Sequence, residues 1–228
     1  MDPEKLRFGL IYLVALILSI CVHEFGHAFV ADKLGDPLPR SQGRVTLNPI
    51  AHIDPIGTLL LPIVAVFTGP AIGQYILGWG KPVQISLSPR SITRKISIRT
   101  AHALVAVAGP MMNILFGLVL SVVFLILVRA HNLALADGVK NVIEMNIGLC
   151  LFNLLPIPPL DGGAILARFV PRRFDYLLDG LNRYGFIILL GLLFTGLLWK
   201  LMWPAMIIEQ FWIDHLVQMA IGMAGGGS

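Results

Sequence analysis

Long apolar runs separated by short polar and basic connections set the rhythm of this chain. The first run extends from Leu6 to Val30, and Asp32 to Arg44 then supplies glycine, proline and charge. Arg44-Val45-Thr46-Leu47-Asn48 predicts a short strand ended by Pro49. The stretch Ile56 to Leu77 is long enough to cross a bilayer, but Pro62 and the Gly69-Pro70 pair interrupt it. Gly78 to Thr100 is polar and basic, and Ala101 to Val128 reads as a strong spanning helix. Val139 to about Arg168 reads as another, interrupted by Pro156, Pro158 and Pro159, and Tyr184 to Trp203 is the last clear span. Beyond Pro204, Gln210, Asp214 and Gln218 form a polar stripe at helical spacing. That predicts a helix lying at the membrane interface or packed on the bundle.

Composition agrees with the pattern. Of 228 residues, 56% are hydrophobic and 13% charged, and mean hydropathy is +0.80. Soluble domains carry about 25% charged residues, so an ordinary soluble domain is excluded. Residues 1–224 are expected to form a single transmembrane domain, and Gly225-Gly226-Gly227-Ser228 a linker or tag remnant. Lys5 and Arg7 before the first run resemble a signal peptide, but no small-x-small cleavage site follows, and a retained helix is expected. Cys21 and Cys150 lie in apolar segments and belong to no Cys-x-x-Cys pair, which points away from a disulfide framework or a thiolate zinc site. The net charge of +4 sits in loops without aromatic-basic alternation, so no nucleic-acid partner is expected. The expected surroundings are a lipid bilayer.

Candidate chemistry begins at His23-Glu24-Phe25-Gly26-His27, near the end of the first run. Helical residues four apart share a face, so both imidazoles can address one metal ion. Ser19 lies on that face one turn earlier. Glu24 stands beside the pair, placed to take a proton from water without being a ligand. Ionisable groups inside a membrane segment are costly, and three within five residues imply a function. A second constellation runs from Asn153 to Gly163, where three prolines in four positions break the helix before Asp161. Irregular backbone at membrane depth is tolerated where it is buried in protein or lines a watery cavity. Asp161 is the natural third ligand, which leaves one position open for water.

These two motifs together resemble the site-2 protease family of intramembrane zinc metalloproteases, in a compact form without PDZ or CBS modules. Ala108-Gly109-Pro110-Met111-Met112-Asn113 is similar to the family's Gly-Pro-x-x-Asn element, and Gly43 to Gly57 to a loop of the compact branch. The resemblance spans about residues 15 to 170. It implies one Zn2+ ion on His23, His27 and Asp161, Glu24 as general base, and Asn153 as a group holding the substrate carbonyl or the oxyanion. The implied activity is hydrolysis of peptide bonds within or near transmembrane helices, as in regulated intramembrane proteolysis. The implied partner is a transmembrane protein, including one already trimmed by another protease. Many members have arginine after Asp-Gly-Gly; here Ala164 stands there, and Arg168 lies one turn later. His52 and Asp54 read as loop hydrogen-bonding residues or an accessory gate, and Asn113 as helix packing or a contact behind a ligand.

For His23, His27 and Asp161 to meet at one depth, their helices must run the same way, with an odd number of crossings between them. Ala101 to Val128 supplies one crossing, so Ile56 to Leu77 is expected to dip in and return. Lys33, Arg40, Arg44, Lys81, Arg90, Arg94, Lys95, Arg99, Arg168, Arg172, Arg173 and Arg183, twelve of seventeen basic residues, then share one side. A spanning segment would split them eleven to six, so both satisfy the positive-inside bias and re-entry is only favoured. The fold class expected is an all-α polytopic membrane protein with four to six membrane-embedded helices, a short membrane-associated β element at Arg44–Asn48 and a re-entrant segment. The expected location is a prokaryotic inner membrane, with the metal toward the cytoplasm. The competing class is a membrane metal-binding protein or transporter, but transporters show matched half-repeats and the two motif halves here differ.

Overall fold

The computed structural model describes residues 3–68, 78–88, 92 and 96–225, with backbone alone for 3–6, 8, 65–68 and 223–225. Among these residues the chain forms helices and irregular segments, and no strand. Helix α1 is Pro3–Lys33, α2 Leu38–Ser41, α3 Leu61–Thr68, α4 Ile98–Arg129, α5 Leu133–Asn153, α6 Asp161–Phe169, α7 Asp175–Phe194 and α8 Leu197–Gly225. Single-turn 3-10 helices at Pro49–Ala51 and Arg172–Phe174 and a π-helical turn at Pro55–Leu60 complete the described elements.

Three helices hold the centre. Asn113 of α4 lies against the Ser19 backbone of α1, and Val105, eight residues earlier, lies against His27. Numbers rise along one helix as they fall along the other, so α4 is antiparallel to α1. In α5, Asn146 meets Ser19, and the chain then descends toward Asp161 at the level of His23 and His27. Helix α5 therefore runs parallel to α1, as the need for a common depth predicted. Ala31 and Leu34 pack on Ala101 and Val105, so the connection between α1 and α4 starts and finishes at the same end of the bundle. A second core of Phe124, Ala136, Ile143, Ile147, Ile213 and Leu216 fastens α4 and α5 to α8. The stripe Gln210, Asp214 and Gln218 stays exposed on the far side of α8, with Gln210 donating to Asp214.

The structure corrects several expectations. The β element at Arg44–Asn48 does not form: the Thr46 N–H folds back onto the Arg44 carbonyl, and Asn48 caps the following 3-10 turn through the Ile50 N–H. These local bonds take backbone groups that a strand would offer to a partner. The span expected at Tyr184 to Trp203 is cut at Gly196, whose φ of +72° suits glycine and ends α7. Among the described residues three helical stretches are long and apolar enough to cross a membrane, Gly9–Lys33, Ile98–Arg129 and Arg172–Phe194, where four to six membrane-embedded helices were expected. Charged residues distinguish α5 and α8 from these three. Asp137, Lys140 and Glu144 sit in α5, and Lys200, Glu209 and Asp214 in α8. The re-entrant expectation for Ile56–Leu77 falls partly on 69–77, outside the described residues, and a return from the membrane is not part of the described fold.

The connection is tied down by its described residues on both sides of 69–77. The Arg44 guanidinium is buried and donates to the Ala51 and Lys81 carbonyls. Lys81 N–H donates to the His52 carbonyl, and Thr58 Oγ1 donates to the Trp79 carbonyl. His52, 1% exposed, has its Nε2 2.8 Å from the Thr46 carbonyl. Burial pushes the His52 imidazole below the usual histidine range, and the neighbouring Arg44 adds to it. A base whose folded pKa is depressed contributes full stability above its unfolded value of about 6.5, and loses it as pH falls below that. Amide exchange of residues 46–52 and 79–83, corrected for its intrinsic pH dependence, should therefore be faster at pH 5 than at pH 7.5. His52→Gln should flatten that difference, and equal protection at both values in the native chain would contradict it.

Candidate metal centre

His23 and His27 lie on consecutive turns of α1, with their Nε2 atoms 3.0 Å apart. Asp161 Oδ2 lies 3.2 Å from the first and 3.3 Å from the second. The other nitrogen of each ring is held from behind. His23 Nδ1 is 2.6 Å from Asn113 Oδ1, and His27 Nδ1 is 2.8 Å from the Val105 carbonyl. Both partners are acceptors, so each Nδ1 carries a proton, and in the neutral ring each Nε2 presents a lone pair.

With both rings neutral, three lone-pair atoms converge with no hydrogen to share, and Asp161 Oδ2, buried, is then left without a hydrogen-bond partner. A buried carboxylate is paired or coordinates a metal. Zinc with bonds of about 2.0–2.1 Å to four tetrahedral ligands places them about 3.3 Å apart. The triangle of 3.0, 3.2 and 3.3 Å matches that spacing. Two imidazoles and one carboxylate are also a donor set that zinc takes in catalytic sites. The residues present fit the ion.

Local sequence explains how each side chain arrives. A Cβ on Gly109 would sit 2.4 Å from His27 Nε2 and 2.7 Å from His23 Cε1, so only glycine lets α4 lie against both rings. Asn113, one turn further along α4, supplies the acceptor for His23. The Gly-Pro-x-x-Asn element therefore packs one imidazole pair and orients one ring of it. On the other side, α5 ends at Asn153 and the proline-rich loop turns the chain so that Asp161 opens α6. A Cβ on Gly162 would meet the Leu154 and Leu155 carbonyls at 2.3 and 2.2 Å, which fixes why glycines follow the aspartate. The carboxylate in the first turn of α6 also gains from the helix dipole, typically about 0.3–1 kcal/mol.

Glu24 is outside the triangle. Its Oε2 accepts the Val83 N–H at 3.0 Å, from the irregular segment 78–88 that crosses over α1. Asn153 is not brought to the triangle by its hydrogen bonds: its Nδ2 donates to the Leu149 carbonyl of its own helix at 2.9 Å. Asp54 caps the π-helical turn through the Ile56 and Gly57 N–H groups. Arg168 donates to Thr100 Oγ1 at 2.8 Å, so it ties α6 to the start of α4. Cys21 is buried against the Leu47 carbonyl, and both cysteines are free thiols. Sequence reasoning missed Asn146, which is fully buried behind Asn113. An asparagine in an apolar helix seven residues before Asn153 was the signal available.

Together these features make a buried group that could hold a divalent metal, built on two helices and a proline-broken loop, with a carboxylate beside it. Comparison with known proteins gives the same class. The chain is 37% identical over 200 residues to “Putative zinc metalloprotease YwhC” of Bacillus subtilis, covering 84% of each. It is 30% identical over 222 residues to “Putative zinc metalloprotease Rip2” of Mycolicibacterium smegmatis, covering 95% of this chain and 78% of that one. It is 27% identical over 173 residues to “Zinc metalloprotease MJ0392” of Methanocaldococcus jannaschii, covering 75% of this chain and 37% of the relative. No family model and no solved structure matches. The chain belongs to the site-2 protease family, in company with these relatives.

The close approach at Gly109 gives a direct test. Gly109→Ala forces the imidazoles or α4 to shift, and zinc content after purification should fall severalfold while the protein remains folded in detergent. An unchanged zinc content would show that the two rings are not held against α4 as described.

Proposed function

We propose that the chain is a zinc metalloendopeptidase that hydrolyses peptide bonds within or near transmembrane helices of other proteins. The observation that carries this reading is the triangle of His23, His27 and Asp161 lone pairs, with Glu24 next in sequence to one of its corners. Zinc bound there would polarise a peptide carbonyl and lower the pKa of water to about 7. Glu24, released from the Val83 N–H, takes the proton of the attacking water and delivers it to the departing amine nitrogen. Asn153, once its amide turns from the Leu149 carbonyl, donates to the developing oxyanion. Both groups are held by backbone in this structure, and each must exchange that bond for one to substrate or water.

Water needs a route to this depth. A cavity of about 290 Å³, lined by Arg99, His102, Pro158, Pro159, Gly163 and Asn182, lies against the loop that delivers Asp161. It supports a path from the end of the bundle rich in basic residues. The substrate is a transmembrane protein, including one trimmed beforehand by another protease, whose helix must unwind to expose a carbonyl. For topology, residues 56–77 are proposed to enter the membrane and return, supported by the contact of Trp79 with Gly57 and Thr58. This puts the metal toward the cytoplasmic side of a prokaryotic inner membrane.

Cleavage of a model single-span substrate in detergent, with zinc measured on each sample, tests the roles. Native protein should cleave, and Glu24→Gln should keep zinc and lose activity. Loss of zinc from Glu24→Gln would make Glu24 a ligand, and zinc binding without cleavage of any helix would favour the transporter reading. Asn153→Ala should lower kcat by about 10²–10³-fold, the usual cost of one oxyanion donor. A change in KM alone would assign Asn153 to ground-state binding instead.

A further inference from the structure

Behind the metal triangle lies a closed polar cluster that no step of the proposed chemistry touches. Ser19, Asn113 and Asn146 are each 0% exposed, and they come from α1, α4 and α5 respectively. Ser19 Oγ donates to the Ala15 carbonyl at 2.7 Å, so its oxygen is free to accept. Asn146 Nδ2 donates to Ser19 Oγ at 2.8 Å and to the Val142 carbonyl at 2.8 Å. Asn146 Oδ1 accepts from Asn113 Nδ2 at 2.8 Å. Asn113 Nδ2 also donates to the Ser19 carbonyl at 3.2 Å, and Asn113 Oδ1 faces His23 Nδ1 at 2.6 Å.

The direction of every bond follows from two backbone carbonyls. Turning the Asn146 amide over would set its oxygen against the Val142 carbonyl, oxygen to oxygen. Turning the Asn113 amide over would set its oxygen against the Ser19 carbonyl. Neither carbonyl can donate, so neither amide can flip without losing bonds in a dry site. With both amides fixed, Asn113 offers His23 an acceptor and no donor. The neutral imidazole must then protonate Nδ1 and keep Nε2 as a lone pair.

We infer that Asn146 is a positioning residue for the metal centre, acting through Asn113 to fix the tautomer and ring orientation of His23. The inference rests on the reading that His23, His27 and Asp161 bind zinc. It assigns Asn146 a purpose distinct from helix packing. A packing asparagine would be replaceable by an apolar residue of equal volume, whereas one that orients Asn113 would not. Partners behind a metal ligand typically govern affinity by about 10–100-fold. Asn146 stands one bond further back, and Asn113 keeps the Ser19 carbonyl without it, so roughly tenfold, at the low end of that range, is expected.

The test is a double-mutant cycle on zinc affinity, read by competition with a chelator in the full-length Glu24→Gln protein, where cleavage does not interfere. Asn146→Leu should weaken zinc binding about tenfold, Asn113→Ala should weaken it more, and the double variant should match Asn113→Ala. Cobalt substitution should show a shifted and weakened visible spectrum in Asn146→Leu, since the geometry at His23 changes. If the factors for Asn146→Leu and Asn113→Ala multiply, or if Asn146→Leu binds zinc as the native residue does, the positioning role is wrong. Ser19→Ala provides a second, smaller perturbation should Asn146→Leu fail to fold. It should weaken zinc severalfold in the presence of Asn113 and have no effect once Asn113 is alanine, and an equal effect in both backgrounds overturns the inference. Absence of zinc binding in every protein, including the parent, overturns the reading of the site itself along with this inference.

Discussion

Two imidazoles on one helix keep their Nε2 lone pairs turned to the same point because an amide oxygen and a backbone carbonyl hold the protons on the opposite side of each ring. The surrounding structure depends on that constraint. Lone pairs that face each other at 3.0 Å repel, and the carboxylate at 3.2 and 3.3 Å adds to the repulsion. A positive charge at that point, a bound cation or a proton on one ring, makes the arrangement favourable. The protein meets the cost by making each ring's alternative orientation worse. Val105 offers His27 only a carbonyl, and Asn113 cannot turn over without burying an unmatched oxygen, a cost of about 1–3 kcal/mol.

The rest of the fold serves to bring these atoms to one depth. Helix α4 runs antiparallel between α1 and α5, and its glycine and asparagine lie where the rings need space and an acceptor. The proline-rich loop ends α5 and releases Asp161 at the first residue of a new helix, so the carboxylate is placed by backbone geometry and not by a long flexible side chain. The connection from α1 to α4 finishes where it began, held by Arg44, His52 and Asp36 contacts. The Ser86 N–H donates to Asp36, and the Val83 N–H to Glu24. That segment links Glu24 to the periphery of the bundle.

Much of this was legible in the residues. The His-Glu-x-x-His spacing fixed one helical face, and the proline run before Asp161 announced irregular backbone inside an apolar region. Both readings depend on local chain geometry, which sequence carries well. The strand at Arg44–Asn48 failed because Thr46 and Asn48 bond to their near neighbours, and alternation alone does not reveal such local competition. The last span was misplaced because Gly196 reads as one small residue in an apolar run until its positive φ is seen. Asn146 was missed because a lone asparagine declares its polarity but not its partner; its meaning appears only when α1, α4 and α5 are set side by side. Asn153 was found by resemblance, and its bond to the Leu149 carbonyl shows that its presence in a motif does not itself aim the side chain.

X-ray absorption at the zinc edge of the purified native protein tests the central claim most directly, because imidazole rings leave a distinct scattering signature. The triangle of His23, His27 and Asp161 predicts two imidazoles, with the remaining ligands light oxygen atoms at about 2.0–2.2 Å. A third imidazole, a sulfur ligand, or a single imidazole would contradict it.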